Sequence, residues 1–257
     1  MTRCRPKKSL GQNFLVDKNT ARKIVHQLAL RPEDTVLEIG PGQGALTQLI
    51  HGQVEEFIAL EKDWQLASEL KKKWPDLDLI NGDALLFYWA KLKKVRQLKI
   101  IGNLPYNVAS PIMWDLFSQL PTFKRAVFMV QKEVGLRLVA RPKNKTYGAL
   151  SVWVQNFVRP QILFFVGPNV FFPRPKVDSA VLSFEPKKEV MGRVQAQKLS
   201  RTVKLLFQFR RKQLGRILRT YWNERIKFWF EEHEISPRFR PEDLSPEQIR
   251  SLAQVIF

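Results

Sequence analysis

The sequence predicts an α/β chain in which a mainly parallel sheet carries helices on both faces and a small all-helical unit follows. Three observations lead there. Short apolar runs recur along the first two thirds of the chain, most of them separated by helical patterns, and strands alternating with helices build parallel sheets buried on both faces. The first run, Thr35 to Ile39, ends in glycines, the pattern of a buried strand feeding a turn and a helix. Beyond Pro186-Lys187-Lys188 the strand signal stops, and Leu199, Val203, Leu206 and Phe207 fall at helical spacing. The chain therefore divides into domains 1–186 and 187–257, and 257 residues suffice for a full α/β core with a smaller appended unit.

Taken in order, a basic tail (residues 1–8) precedes Asp17, which caps a helix running to about Leu30 with Ile24, Val25 and Leu28 on its apolar face. After the Thr35 strand come strands at Phe57 to Leu60, Leu77 to Ile80, Leu98 to Ile101, Ala126 to Val130, Ile162 to Val166 and Ala180 to Phe184. From Val194 the pattern is helical, and there is no internal repeat.

Composition narrows the class. No apolar run is long enough to cross a bilayer. The basic N-terminus lacks the apolar stretch and cleavage site of a secretory signal. A single cysteine, Cys4, forms no intrachain disulfide, and His26, His51 and His233 have no zinc-ligand spacing, so a metal-free protein of the cytoplasm is expected. With 43 Lys+Arg against 24 Asp+Glu the net charge is +19, which suits a polyanionic partner. The excess is carried by both predicted domains.

The chemistry sits at the strand ends. Gly40-Pro41-Gly42-Gln43-Gly44-Ala45 lets the chain turn sharply and bring its backbone against a ligand. Glu61, 21 positions after Gly40, can accept both hydroxyl protons of a ribose. These two features indicate an adenosine-type cofactor and are shared by NAD-dependent and S-adenosylmethionine (SAM)-dependent enzymes. Asp83, after the third strand, can accept from the cofactor's adenine amine. Asn103-Leu104-Pro105-Tyr106, after the fourth, is the more specific motif. An adenine amine is a poor nucleophile because its lone pair is delocalised, and acceptors on its N–H groups favour the pyramidal geometry of attack. The Asn103 amide oxygen and the Leu104 carbonyl can supply them, Pro105 stiffens the turn, and Tyr106 offers a flat surface to the base. In the proline-rich loop Asn169 to Ser179 one of Phe171 and Phe172 can clamp the base's other face, the other anchoring the loop. Arg210, Arg211, Lys212, Arg216 and Arg219 form the densest basic cluster of the helical unit. On a helix, positions 212, 216 and 219 share a face suited to phosphates, while Leu214, Ile217 and Leu218 face the core.

Ser9-Leu10-Gly11-Gln12-Asn13-Phe14-Leu15, Glu38-Ile39-Gly40-Pro41-Gly42-Gln43-Gly44-Ala45-Leu46-Thr47, Asn103-Leu104-Pro105-Tyr106-Asn107 and Pro173-Arg174-Pro175-Lys176-Val177-Asp178-Ser179 together resemble the KsgA-type family of ribosomal RNA adenine dimethyltransferases, from Lys8 to the C-terminal helices. The resemblance implies a Rossmann-like SAM-dependent methyltransferase domain followed by a helical rRNA-binding domain. It implies that Asn13, Leu15, Gly40, Gly42, Glu61, Asp83 and Asn103 contact SAM, that Asn103 and Tyr106 face the target base, and that Phe171 is the second stacking aromatic. It further implies a monomer that dimethylates two adjacent adenosines in the 3′-terminal hairpin loop of small-subunit rRNA within a pre-30S particle. Three other readings remain open at this point. A resistance-type methyltransferase of large-subunit rRNA shares the catalytic core, although Phe209 to Leu214 and Arg238 to Leu244 resemble the small-subunit type. A non-catalytic assembly factor that kept the fold is the second, and an NAD-dependent dehydrogenase the third.

Overall fold

A computed structural model describes residues 6, 7 and 10–257; the basic tail to Arg5, with Cys4, and the pair Lys8-Ser9 lie outside the described residues. In chain order the elements are β1 (Phe14–Leu15), α1 (Lys18–His26), β2 (Thr35–Ile39), α2 (Thr47–Ile50), β3 (Glu56–Glu61), α3 (Trp64–Lys73), β4 (Asp78–Asn81), β5 (Leu98–Asn103), α4 (Ala109–Gln119), β6 (Arg125–Gln131), α5 (Lys132–Leu138), α6 (Ala149–Phe157), β7 (Val158–Val166), β8 (Phe171–Phe172), β9 (Ser179–Pro186), α7 (Arg193–Gln208), α8 (Leu214–Ile217), α9 (Glu224–Glu232) and α10 (Pro246–Ile256). All seven predicted strands are present, with β7 extended back to Val158. The helix predicted through Leu30 stops earlier: Asp17 caps it through the Thr20 N–H, but α1 ends at His26 and Ala29 takes a positive φ of 49°.

By packing the chain forms two units, Met1–Gly135 with Arg159–Pro186, and Leu136–Val158 with Lys187–Phe257. The helical unit thus takes in a stretch that sequence pattern alone counts with the sheet. Long-range hydrogen bonds explain the difference. The Tyr147 hydroxyl donates to the Leu244 carbonyl at 2.8 Å, and the Asn156 amide donates to Pro246 O at 3.1 Å. Val152, Trp153, Val154 and Phe157 of α6 are buried, so the helix has no broad polar face to turn outward.

In the first unit the seven-stranded sheet has the order β4-β3-β2-β5-β6-β9-β7. Strands β4 to β6 are mutually parallel, and β9 runs antiparallel to β6. Every residue of β2 is buried, as a central strand covered on both faces requires. Strand order reverses between β2 and β5, and ligands of open α/β sheets bind beyond the carboxyl ends of strands at such a point. A separate two-stranded ribbon pairs Phe14 with Phe172 and Leu15 with Phe171. Among the described residues no helix is long and apolar enough to cross a membrane.

Candidate active site

The carboxyl ends of β2 and β5 open onto one cavity, lined by Asn13, Leu15, Gly40, Gly42, Glu61, Asp83, Asn103, Leu104, Pro105 and Tyr106 among others. Ten of the predicted cofactor and catalytic residues, scattered over ninety positions of sequence, therefore meet in one place.

Its floor depends on two glycines. A Cβ on Gly102 would lie 2.6 Å from the Ile39 carbonyl oxygen, so only glycine lets β5 lie this close to the end of β2. Gly42 has a φ of +58°, and a Cβ there would meet the Phe14 ring at 3.2 Å. The turn consequently presents backbone rather than side chain to the cavity.

Glu61, buried at the end of β3, accepts from the Gly42 N–H at 3.0 Å and the Asp63 N–H at 2.8 Å. Burial raises its pKa, and those two N–H groups oppose the rise. Each oxygen keeps a lone pair for a further donor. The next residue but one, Asp63, fastens the segment before β1: Lys7 Nζ lies 2.8 Å and Gln12 Nε2 3.2 Å from its carboxylate. Asp83 accepts from Leu85 N–H at 2.9 Å and pairs with Lys62 at 2.8 Å. Burial pushes its carboxyl up, but the Lys62 and Leu85 bonds outweigh it and the pKa falls below the usual value. Glu38 also lines the cavity. Fully buried and accepting from Thr47 Oγ1 at 2.7 Å, it is pushed up to about 8, burial being the chief cause.

At the end of β5, Asn103 Nδ2 donates to the Asn13 carbonyl at 3.0 Å. Leu104 N–H donates to Met129 O at 3.1 Å, which locks the motif to β6. The Tyr106 hydroxyl meets Ser179 Oγ, on β9, at 2.6 Å. Burial raises the Tyr106 pKa, with the Asp178 charge adding to it, so the phenol stays neutral.

Two predicted features have a different local geometry. Phe171 does not line the cavity: it is 4% exposed and packs in the core with Leu15, Ile101 and Met129, whereas its neighbour Phe172 is 58% exposed. Adjacent strand residues point to opposite faces, and the β1–β8 register sends Phe171 inward. The basic cluster of the second unit is not on one continuous helix, because α7 ends at Gln208, residues 209–213 are not helical, and α8 spans only Leu214–Ile217. Arg211, Lys212, Arg216 and Arg219 are exposed. Arg210 is engaged within its own unit by Glu242 and by the Lys145 carbonyl. As predicted, Leu214, Ile217 and Leu218 are buried.

Sequence reasoning did not single out Glu38, Lys62, Ser179 or the Lys7–Gln12–Asp63 clasp. Glu38 and Ser179 stood inside motifs already quoted; Lys62 and the clasp carry no local signal.

The family described as ribosomal RNA adenine dimethylase matches residues 3–256. The chain belongs to that family. Two relatives share its near-full length: the Oleidesulfovibrio alaskensis protein named ribosomal RNA small subunit methyltransferase A is 50% identical, covering 98% of this chain and 91% of the relative. The Lawsonia intracellularis protein of the same name is 42% identical, covering 97% and 93%. Among solved structures, a Plasmodium falciparum dimethyladenosine transferase superposes with a TM-score of 0.76 at 24% identity over 93% of this chain and 95% of that one, a likeness of fold. The 23S rRNA methyltransferase ErmE gives 0.70 at 25% identity over 95% and 99%. SAM is accordingly the cofactor, and the cavity fits it: a backbone-lined turn and the Glu61 and Asp83 carboxylates, acceptors for hydroxyl and amine donors, all line its wall.

Proposed function

We propose that this protein transfers methyl groups to the exocyclic amines of two adjacent adenosines in the 3′-terminal hairpin loop of small-subunit (16S) rRNA, dimethylating each, late in assembly of the small subunit. It acts in the cytoplasm as a monomer on a pre-30S particle. The observation that carries this reading is the Asn103 amide: with Nδ2 committed to the Asn13 carbonyl, Oδ1 is the free end of the group and an acceptor.

Bound SAM supplies a methyl group on a sulfonium that leaves readily. The protein's own residues do the rest. Glu61 and Asp83 would hold the cofactor's ribose and adenine. Asn103 Oδ1 and the Leu104 carbonyl accept from the target N–H groups and turn the nitrogen lone pair toward the methyl. The Tyr106 ring, pinned by Ser179, replaces the stacking lost when the base leaves its neighbours. With SAM held there, the target nitrogen would gain the methyl as the neutral thioether leaves, and the amine proton would pass to water. Alignment is the main contribution.

The small-subunit substrate is favoured over the large-subunit one by the names of the relatives at 50% identity, while the large-subunit enzyme stands at 25%. The test is transfer of labelled methyl from SAM to unmethylated small and large subunits, followed by nucleoside analysis. Dimethyladenosine from the small subunit alone is expected; label in the large subunit, or none, overturns the reading.

A further inference from the structure

The end of the sheet opposite the cavity carries a concentrated positive charge that the methyl-transfer site does not use. Between Asp83 and Lys132 the sequence holds one carboxylate, Asp115, against Lys91, Lys93, Lys94, Arg96, Lys99, Lys124 and Arg125. Lys99 is spent inside, paired with Asp34 at 2.6 Å. Lys91, Lys93, Lys94, Arg96 and Lys124 are all exposed, and among the described residues no carboxylate stands within ion-pair distance of any of them.

These cations are held, not trailing. The 3-10 helix Trp89–Lys94 buries Trp89 and Leu92, which turns Lys91, Lys93 and Lys94 outward. In the loop before β6, Phe123 is 2% exposed and leaves Lys124 at the surface. Two hydrogen bonds join the segments: Thr122 Oγ1 to Lys93 O at 3.3 Å and Lys124 N–H to Leu98 O at 2.7 Å. Strand β5 then runs from Leu98, beside the patch, to Asn103 at the cavity, about 17 Å at roughly 3.3 Å per residue. A nucleotide seated against Asn103 cannot reach the patch, so any anion there belongs to a different stretch of the partner.

We propose that Lys91, Lys93, Lys94, Arg96 and Lys124 form a second docking surface for the phosphodiester backbone of RNA, contacting a segment apart from the methylated loop. The proposal rests on the reading above that the substrate is ribosomal RNA. Fixed, unpaired like charges repel one another and weaken the fold slightly, and a polyanion relieves that repulsion while releasing its counterions.

The test is equilibrium binding of the full-length protein to purified small subunits across a series of salt concentrations, comparing wild type with Lys93→Gln/Lys94→Gln/Arg96→Gln/Lys124→Gln. Four lost phosphate contacts lower the slope of log affinity against log salt by about 3, with affinity at low salt reduced at least tenfold. SAM affinity, measured alongside, stays at the wild-type value and the melting temperature does not fall, because every substituted side chain is exposed. Unchanged affinity and slope overturn the proposal. So does weaker binding with an unchanged slope, which would mean a protein contact or a folding defect. Wild-type protein that methylates no rRNA removes the underlying reading instead, and the two failures are told apart by that control.

Discussion

The side-chain nitrogen of Asn103 donates to the backbone carbonyl of Asn13, 3.0 Å away and ninety positions earlier in the chain. The pair joins the segment before the sheet to the end of β5 and orients the Asn103 amide. An amide whose NH2 is already engaged offers its oxygen to the site, the polarity that an incoming amine requires. The same contact ties the Asn103 amide to the segment that walls the cavity, to which Asn13 belongs.

Tyr106 depends on Ser179 for its position. Ser179→Ala removes the 2.6 Å hydroxyl contact and frees the ring, so turnover falls about two- to tenfold, the range of one net hydrogen bond, while SAM affinity measured by calorimetry holds. Tyr106→Phe gives a similar loss, and the double variant is no worse than either single one. Additive losses would show that the two hydroxyls act separately.

The two phenylalanines separate by stability. Phe171→Ala opens a hole beneath β1 and costs about 3–5 kcal/mol in chemical denaturation, loosening the ribbon that carries Asn13 and Leu15. Phe172→Ala, at a site 58% exposed, leaves the denaturation midpoint nearly unmoved. The reverse order would place the inward face of the ribbon on the wrong residue.

Glu38 makes stability pH-dependent. Its pKa rises from 4.5 to about 8 on folding, burial being the first cause. Between those values the folded state keeps a proton that the unfolded state has released. The contribution is therefore full below pH 4.5, falls by about 1.4 kcal/mol per pH unit at most, and is gone above about pH 8. Glu38→Gln stays neutral and can still accept from Thr47, so its melting temperature gains on wild type from pH 5 to pH 8.5. Melting curves that stay parallel over that range refute the assignment.

In the second unit, Arg210 and its neighbours part company. Arg210→Ala breaks the Glu242 pair and the Lys145 contact and lowers the melting temperature. Lys212→Glu/Arg216→Glu/Arg219→Glu leaves melting alone, weakens binding to small subunits and flattens its salt dependence. Wild-type binding by this triple variant would make the exposed cations solvated surface.

Much of this architecture is legible in the sequence, for a physical reason. Each of the seven strands is an apolar run bounded by turn residues, and the residues predicted to meet cofactor and base sit at or just after strand ends, where the α/β topology gathers them. What is hidden depends on partners distant in sequence. The ribbon of Phe14–Leu15 with Phe171–Phe172 is too short to show a period, so nothing local says which phenylalanine is buried. Residues 136–158 join the helical unit through Tyr147 and Asn156, whose acceptors lie about ninety positions later. Arg210 looks like its neighbours until Glu242 folds beside it.

The most direct test of the account is the single-turnover rate of methyl transfer to unmethylated small subunits by Asn103→Ala at saturating SAM. With its oriented acceptor gone, the rate falls by about 10²–10³ while the melting temperature stays within a degree or two of wild type. A loss of only two- or threefold in a folded, SAM-saturated protein would contradict the role given to the Asn103 amide.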